Sequence, residues 1–141
     1  MPMKNRYVLD SFALIGYLEN EPFSNRIEKL LKQARKGDYR LYLHTIHLGE
    51  VYYITLREQG QHIADLAYSR IKTFPLTYID RIDEELLITA ATLKASYAIS
   101  YADSFAAAIA KIYKCPLLSG DPEFRILDKQ GIIQIEWLDL N

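Results

Sequence analysis

Four carboxylates stand where the sequence could do chemistry: Asp10, Glu50, Asp103 and Asp121. Asp10 directly follows the apolar run Tyr7-Val8-Leu9, and Asp121 follows Pro116-Leu117-Leu118-Ser119 after a single glycine. Glu50 has Ile46, His47, Tyr53 and Ile54 at helical spacing, a mostly apolar stripe on which an unpaired carboxylate is costly. Asp103 shares its face with Ala106, Ala107 and Ala110, small residues that let a helix approach a sheet closely. Each acid also has an ordinary structural role open to it. Asp10 can cap a helix starting at Ser11, Ser100-x-x-Asp103 resembles a capping box, and Asp121 before Pro122 is a normal helix start. Glu50 can pair with Arg57 or His47. Four converging acids are harder to explain as caps. At about 4 Å and an effective dielectric near 20, each pair costs ~4 kcal/mol, so such a cluster needs a compensating cation. An all-oxygen donor set without a cysteine or histidine framework points to Mg²⁺ or Mn²⁺.

The elements that must bring these acids together alternate between short β-rich runs and longer helical periods. Strands are expected at Tyr7–Leu9, Arg40–Leu43, Leu76–Ile79, Pro116–Ser119 and Ile132–Trp137, the last apolar enough to be buried. Helices are expected over Ser11–Glu19, Phe23–Lys36, a segment capped by Thr45 and running to about Gln59, and Gln61–Thr73. Two more are expected over Arg81–Ser96, capped by Asp80, and Ser100–Tyr113, with a short turn or helix opening at Asp121-Pro122. In Phe23–Lys36 the apolar residues Ile27, Leu30, Leu31 and Ala34 recur at helical spacing, and Gly37 stops the run. The alternation predicts a single α/β domain over residues 1–141, with a mainly parallel five-stranded sheet and helices on both faces. Sheets of this kind bind ligands beyond the carboxyl ends of their strands. If the strands before Asp10 and Asp121 are neighbours, those two acids meet at one edge.

Composition narrows the rest. A chain of 141 residues that is 50% hydrophobic and 25% charged suits one globular domain. The net charge of −1 gives no basic stripe of the kind that marks many nucleic-acid binders. The modest cluster Lys29, Lys32, Arg35, Lys36 and Arg40 reads as a solvated helix face. Most of the 11 tyrosines are expected in the core or at its rim, where an apolar ring with a polar tip fits. Cys115 is the only cysteine. It excludes an internal disulfide and reads as a small core residue. No apolar run approaches the ~20 residues of a membrane span, and the N-terminal residues show no signal-like apolar stretch. A cytoplasmic location is expected.

With those residues in view, the chain resembles PIN domains. Val8-Leu9-Asp10-Ser11 with Ala13-Leu14 looks like their opening motif, and Leu48-Gly49-Glu50-Val51 looks like their second acidic motif. Ser100-Tyr101-Ala102-Asp103-Ser104-Phe105-Ala106-Ala107-Ala108 looks like the third, and Leu118-Ser119-Gly120-Asp121-Pro122-Glu123-Phe124 like the last. The order and spacing of all four fit, across nearly the whole chain. By size the sequence is most similar to VapC-type toxins of toxin–antitoxin pairs; Ser104 stands where that family often carries alanine. The resemblance implies four acids around one divalent-metal site, cleavage of single-stranded or loop RNA to 5′-phosphate and 3′-hydroxyl ends, homodimerisation, and neutralisation by a small antitoxin protein.

On that reading Asp10, Glu50, Asp103 and Asp121 are at once the catalytic residues and the metal ligands, and Ser11 and Ser119 orient ligands or water. Glu123 reads as a favourable charge in a helix's first turn, with an extra rim acid as the other possibility. His44 and His47 read as structural rather than as general bases. Two other readings stand beside it. A phosphoacceptor, receiver-like signalling domain wants an acidic pair early in the chain and a lysine after a late strand. Asp10 has no adjacent acid, and Ser119-Gly120-Asp121 offers no lysine. The other is a PIN-fold protein that acts mainly by binding a partner.

Overall fold

Alternate residues of the central strands are buried on opposite faces, and this two-sided burial explains their near-continuous apolar runs. The computed structural model describes residues 5–138. Its strands are β1 (Arg6–Leu9), β2 (Arg40–His44), β3 (Thr77–Ile79), β4 (Leu117–Ser119) and β5 (Ile135–Trp137). The helices are α1 (Ser11–Leu18), α2 (Ser24–Arg35), α3 (Thr45–Gln59), α4 (Gln61–Ile71), α5 (Glu84–Ser96), α6 (Tyr101–Tyr113) and α7 (Arg125–Lys129), with a 3₁₀ turn at Pro122–Phe124. Val8, Tyr42 and Leu117 point to one face, into a core with Leu86, Ala90 and Leu93 of α5 and the alanines of α6. Leu9, Leu41, Leu43 and Leu118 point to the other, against Leu14 of α1, Ile27, Leu30 and Leu31 of α2, and Leu48 and Val51 of α3. Cys115 is buried among apolar residues.

All four strand pairings are parallel, in the order β3-β2-β1-β4-β5. This is the α/β fold expected, with a fully parallel sheet. The order departs from the 2-1-3-4-5 arrangement of receiver-like sheets. From β1 the chain steps one way to β2 and β3, and β4 and β5 then lie on the other side. The reversal leaves a crevice at the carboxyl ends of β1 and β4. Their register, Val8↔Leu117 and Leu9↔Leu118, brings Asp10 and Ser119 side by side.

Several local expectations are corrected. Asp80 caps nothing: α5 starts at Glu84, and the Asp83 carboxylate accepts the Leu86 N–H at 2.9 Å. The later start aligns Leu86, Ala90 and Leu93, spaced i, i+4, i+7, on the core. Thr45 is the first residue of α3 rather than its cap; His44 Nδ1 accepts the Ile46 N–H at 3.0 Å. Strand β5 is shorter than expected and is an edge strand, half-buried with Trp137 exposed. Tyr53, placed on the apolar stripe of α3, faces solvent; the buried stripe is His47, Leu48, Val51 and Thr55. The basic cluster from Lys29 to Arg40 is exposed throughout. Among the described residues no helix is long and apolar enough to cross a membrane.

Candidate active site

Each acid reaches the crevice by a local device. Asp10 leaves β1 in extended conformation and caps α1, its Oδ1 accepting the Ala13 N–H at 3.1 Å. Its Oδ2 accepts a 2.6 Å hydrogen bond from the Ser119 hydroxyl at the end of β4. The same hydroxyl oxygen accepts the Asp121 N–H at 3.1 Å, so Ser119 joins the two strand-end acids. Asp121 caps the 3₁₀ turn through Glu123 N–H. Asp103 sits in the first turn of α6 and is buried because Ala106, Ala107, Ala108 and Ala110 let the helix lie close against the sheet. Glu50 borders the buried stripe of α3, and its Oε1 is cut off from solvent with no hydrogen-bond partner among the described residues.

The capping readings of Asp10 and Asp121 are correct as geometry, yet both residues also face the site. The capping-box reading of Asp103 is half correct. The Ser100 hydroxyl accepts the Asp103 N–H at 3.1 Å, but the return bond to Ser100 N–H comes from Glu123 Oε1 at 2.9 Å. Asp103 is thereby released from closing the cap. Carboxylate oxygens of Asp103, Asp121 and Glu123 all lie within 4.8 Å of one another. Asp10 and Glu50 stand beside this trio and are coupled to it by charge repulsion. Glu123 therefore belongs to the cluster more closely than its sequence position indicated. The turn at Pro122 that swings it back toward Ser100 is a contact across 23 residues, for which the local sequence carries no signal.

The electrostatics are those of crowded acids. Burial pushes Asp10 up to about 7, against the opposing hydrogen bonds of Ser119 and Ala13, and the charges of Asp121 and Glu50 add to the rise. Burial, a hydrogen bond to Glu123 and the nearby charges of Asp121 and Asp10 raise Asp103. Glu123 is lowered by its bond with Asp103 and by Ser100 N–H, the opposite direction to Asp103. Burial also raises Glu50, while the Ser11 hydroxyl pulls the other way. The one ion pair among the described residues, Arg26 with Glu136, lies elsewhere, and Lys94 acts on Glu123 as a nearby charge rather than as an ion-pair partner. The residues fit a hard divalent cation: the donors are all oxygen, one Glu50 oxygen is orphaned, and burial and mutual repulsion raise Asp10, Glu50 and Asp103.

Beside the acids opens a cavity of about 380 Å³, whose other wall is Phe12, Ile15, Gly16, Phe23 and Ile54. The two histidines of the α3 entry lie outside its lining. His44 caps α3 and lies 2.9 Å from Arg81 O through Nε2. His47 is completely buried, with Nε2 2.9 Å from Ala102 O. Neither is placed as a general base.

This fold has known counterparts. The family model for the PIN domain matches residues 7–130, and the chain belongs to that family. Among solved structures it resembles VapBC2 from Rickettsia felis bound to a DNA fragment from the promoter, with 15% identity, TM-score 0.73, and 95% of this chain and 99% of that chain covered. It resembles DNA-bound VapBC from Salmonella typhimurium at 14% identity and TM-score 0.70, covering 93% and 96%. It also resembles the Mycobacterium tuberculosis VapC20, described as a sarcin-ricin loop cleaving toxin, at 12% identity and TM-score 0.64, covering 85% and 93%. At such identities the likeness is one of fold. No curated protein matches the chain in sequence.

Proposed function

We propose that this PIN domain is a Mg²⁺- or Mn²⁺-dependent endoribonuclease acting on single-stranded or loop RNA, and the toxin of a toxin–antitoxin pair. One observation carries the reading: Asp103, Asp121 and Glu123 bring carboxylate oxygens within 4.8 Å of one another, Glu50 lines the same cavity, and Asp10 feels the charges of Asp121 and Glu50, with no ion pair among these acids. Asp103 and Asp121, with Asp10 and Glu50 beside them, would hold the cation. A divalent cation there supplies Lewis-acid stabilisation of charge on a phosphodiester and acidifies water. The chain's own residues do the positioning. Ser119 fixes the Asp10 carboxylate by one bond and the Asp121 backbone by another. Both Asp10 oxygens already accept a bond, and each keeps a further lone pair for a ligand. Glu50 offers its unpartnered oxygen to a cation or to water, with Ser11 beside it. Without a cation this acidic edge repels a phosphate.

The test is cleavage of a single-stranded or loop RNA in EDTA and after Mg²⁺ or Mn²⁺ is restored. Activity should vanish and return; full cleavage in EDTA, unchanged by metal, overturns the metal site. The toxin role and the antitoxin partner are supported by fold likeness to VapBC structures; the homodimer is what the family resemblance implies. Expression alone should slow growth, and co-expression with a small neighbouring protein should relieve it. Unimpaired growth with abundant soluble protein counts against the toxin role and leaves the nuclease standing.

A further inference from the structure

His47 is completely buried, yet only one of its two ring nitrogens is used. Nε2 lies 2.9 Å from the carbonyl oxygen of Ala102. A carbonyl only accepts, so Nε2 carries the hydrogen. Burial keeps the ring neutral, its pKa lowered to about 4, and a neutral imidazole has one N–H. Nδ1 is therefore bare, and it is buried without a partner among the described residues. The neighbouring ring of His44, 6.3 Å away edge-on, does not supply one, because its nitrogens are engaged at Ile46 and Arg81. A buried, unpaired ring nitrogen is a standing cost that leucine at this position would avoid. Packing alone does not explain why histidine is there.

What the single bond joins does explain it. His47 precedes Glu50 by three residues on α3, so the two lie on neighbouring faces of the same turn. Ala102 immediately precedes Asp103 in the first turn of α6. The bond runs from the helix that carries one acid to the backbone beside another.

We propose that His47 is a positioning residue for the acidic site: its Nε2–H, held by Ala102 O, sets the separation of Glu50 from Asp103. The proposal rests on the metal-dependent reading above. Glu50 and Asp103 line the same cavity from two different helices, so a cation held by both needs those helices in a fixed relation. The bond from His47 to Ala102 O joins those helices without adding charge.

The test compares His47→Gln, whose side-chain amide can place an N–H where Nε2 stands, with His47→Leu, which fills the space and donates nothing. Mg²⁺ and Mn²⁺ affinity is read by calorimetry and by the metal-induced rise in melting temperature, with RNA cleavage as a separate readout. His47→Leu should fold with an apo melting temperature at or above that of the wild type. It should bind metal about 10-fold or more weakly, the usual scale for outer-sphere partners. His47→Gln should return most of that affinity. Wild-type metal affinity in His47→Leu, or equal loss in the two variants, overturns the proposal. If His47→Leu does not fold, His47→Met makes the same comparison. If the wild type itself neither binds metal nor cuts RNA, the metal reading fails and this proposal fails with it. A wild type that binds metal with affinity indifferent to His47 overturns the proposal alone.

Discussion

Glu123 Oε1 accepts the backbone N–H of Ser100 at 2.9 Å, a bond that an acid three residues into the helix ordinarily makes for itself. The acid at that position is Asp103. Because Glu123 closes the cap from outside, Asp103 is released to face Asp121.

The substitution Glu123→Gln keeps an acceptor for Ser100 N–H, so melting should change little. It also replaces a negative neighbour with an amide that can donate to Asp103. The Asp103 carboxyl, raised by burial and by Glu123, should then titrate lower, as carboxyl NMR would register. Glu123→Ala removes the acceptor as well and should cost about 0.5–1.5 kcal/mol. An unmoved Asp103 titration in both variants would show that Glu123 does not act on Asp103.

Asp10 makes stability depend on pH in a direction opposite to most acids. Its folded pKa of about 7 lies above the ordinary 3.8, so the folded state binds the proton more tightly. The stabilisation is full below pH ~4 and lost as pH rises toward 7. Asn at this position still caps α1 but does not titrate. In EDTA, wild type should therefore lose stability relative to Asp10→Asn between pH 4 and 7, by at most about 4 kcal/mol. His47, held near 4 by burial, gains stability with rising pH over part of this window. It does so in both proteins, so the difference isolates Asp10. Added Mg²⁺ should favour the wild type and flatten or reverse the trend. A pH-independent difference would show that Asp10 is a cap and nothing more.

Caps separate from chemistry in a second comparison. Asp83 caps α5 and lies outside the acidic cavity, so Asp83→Ala should lower stability by about 1 kcal/mol while the folded protein cleaves RNA at the wild-type rate. Asp80→Asn should change neither stability nor rate. Asp10→Asn should stay folded and lose most activity and metal binding. Equal activity in Asp10→Asn and Asp80→Asn would remove Asp10 from the site.

Gly16 offers a test of the cavity wall. Gly to Ala inside a helix normally stabilises by up to about 1 kcal/mol. Here a Cβ would stand 1.9 Å from Phe23 Cζ, and that ring is buried and stacked on Phe12 at 5.7 Å between centroids. Gly16→Ala should instead destabilise by about 1–3 kcal/mol, measured by denaturant melts. Stabilisation would mean that Phe23 swings away freely.

The strand-then-acid pattern at Asp10 and Asp121 was legible in the sequence because a strand end and its cap are adjacent in the chain. The two-faced sheet was legible because apolar runs such as Leu41 to Leu43 are too short for helices and too continuous for a one-sided sheet. Other features depend on distant partners. Asp80 and Asp83 are both good capping residues; the choice falls to the one that turns Leu86, Ala90 and Leu93 onto the core, which only the packed helix reveals. Thr45 is a better cap by type than His44, yet His44 takes that place because its other nitrogen lies against Arg81 O. The role of Glu123 at Ser100 and the strap from His47 to Ala102 each join positions far apart in sequence.

The bond from the Ser119 hydroxyl to Asp10 spans 109 residues. Strand β4, which carries Ser119, must slot in beside β1 after both halves of the sheet have begun to form. During synthesis the chain can therefore build β1 to β3 and their helices while Asp10 still has no partner at the sheet edge. The acidic centre is thus a long-range assembly, closed across most of the chain rather than by local helix formation. A growing polypeptide of this sequence cannot complete the acidic edge before Ser119 and Asp121 have been added.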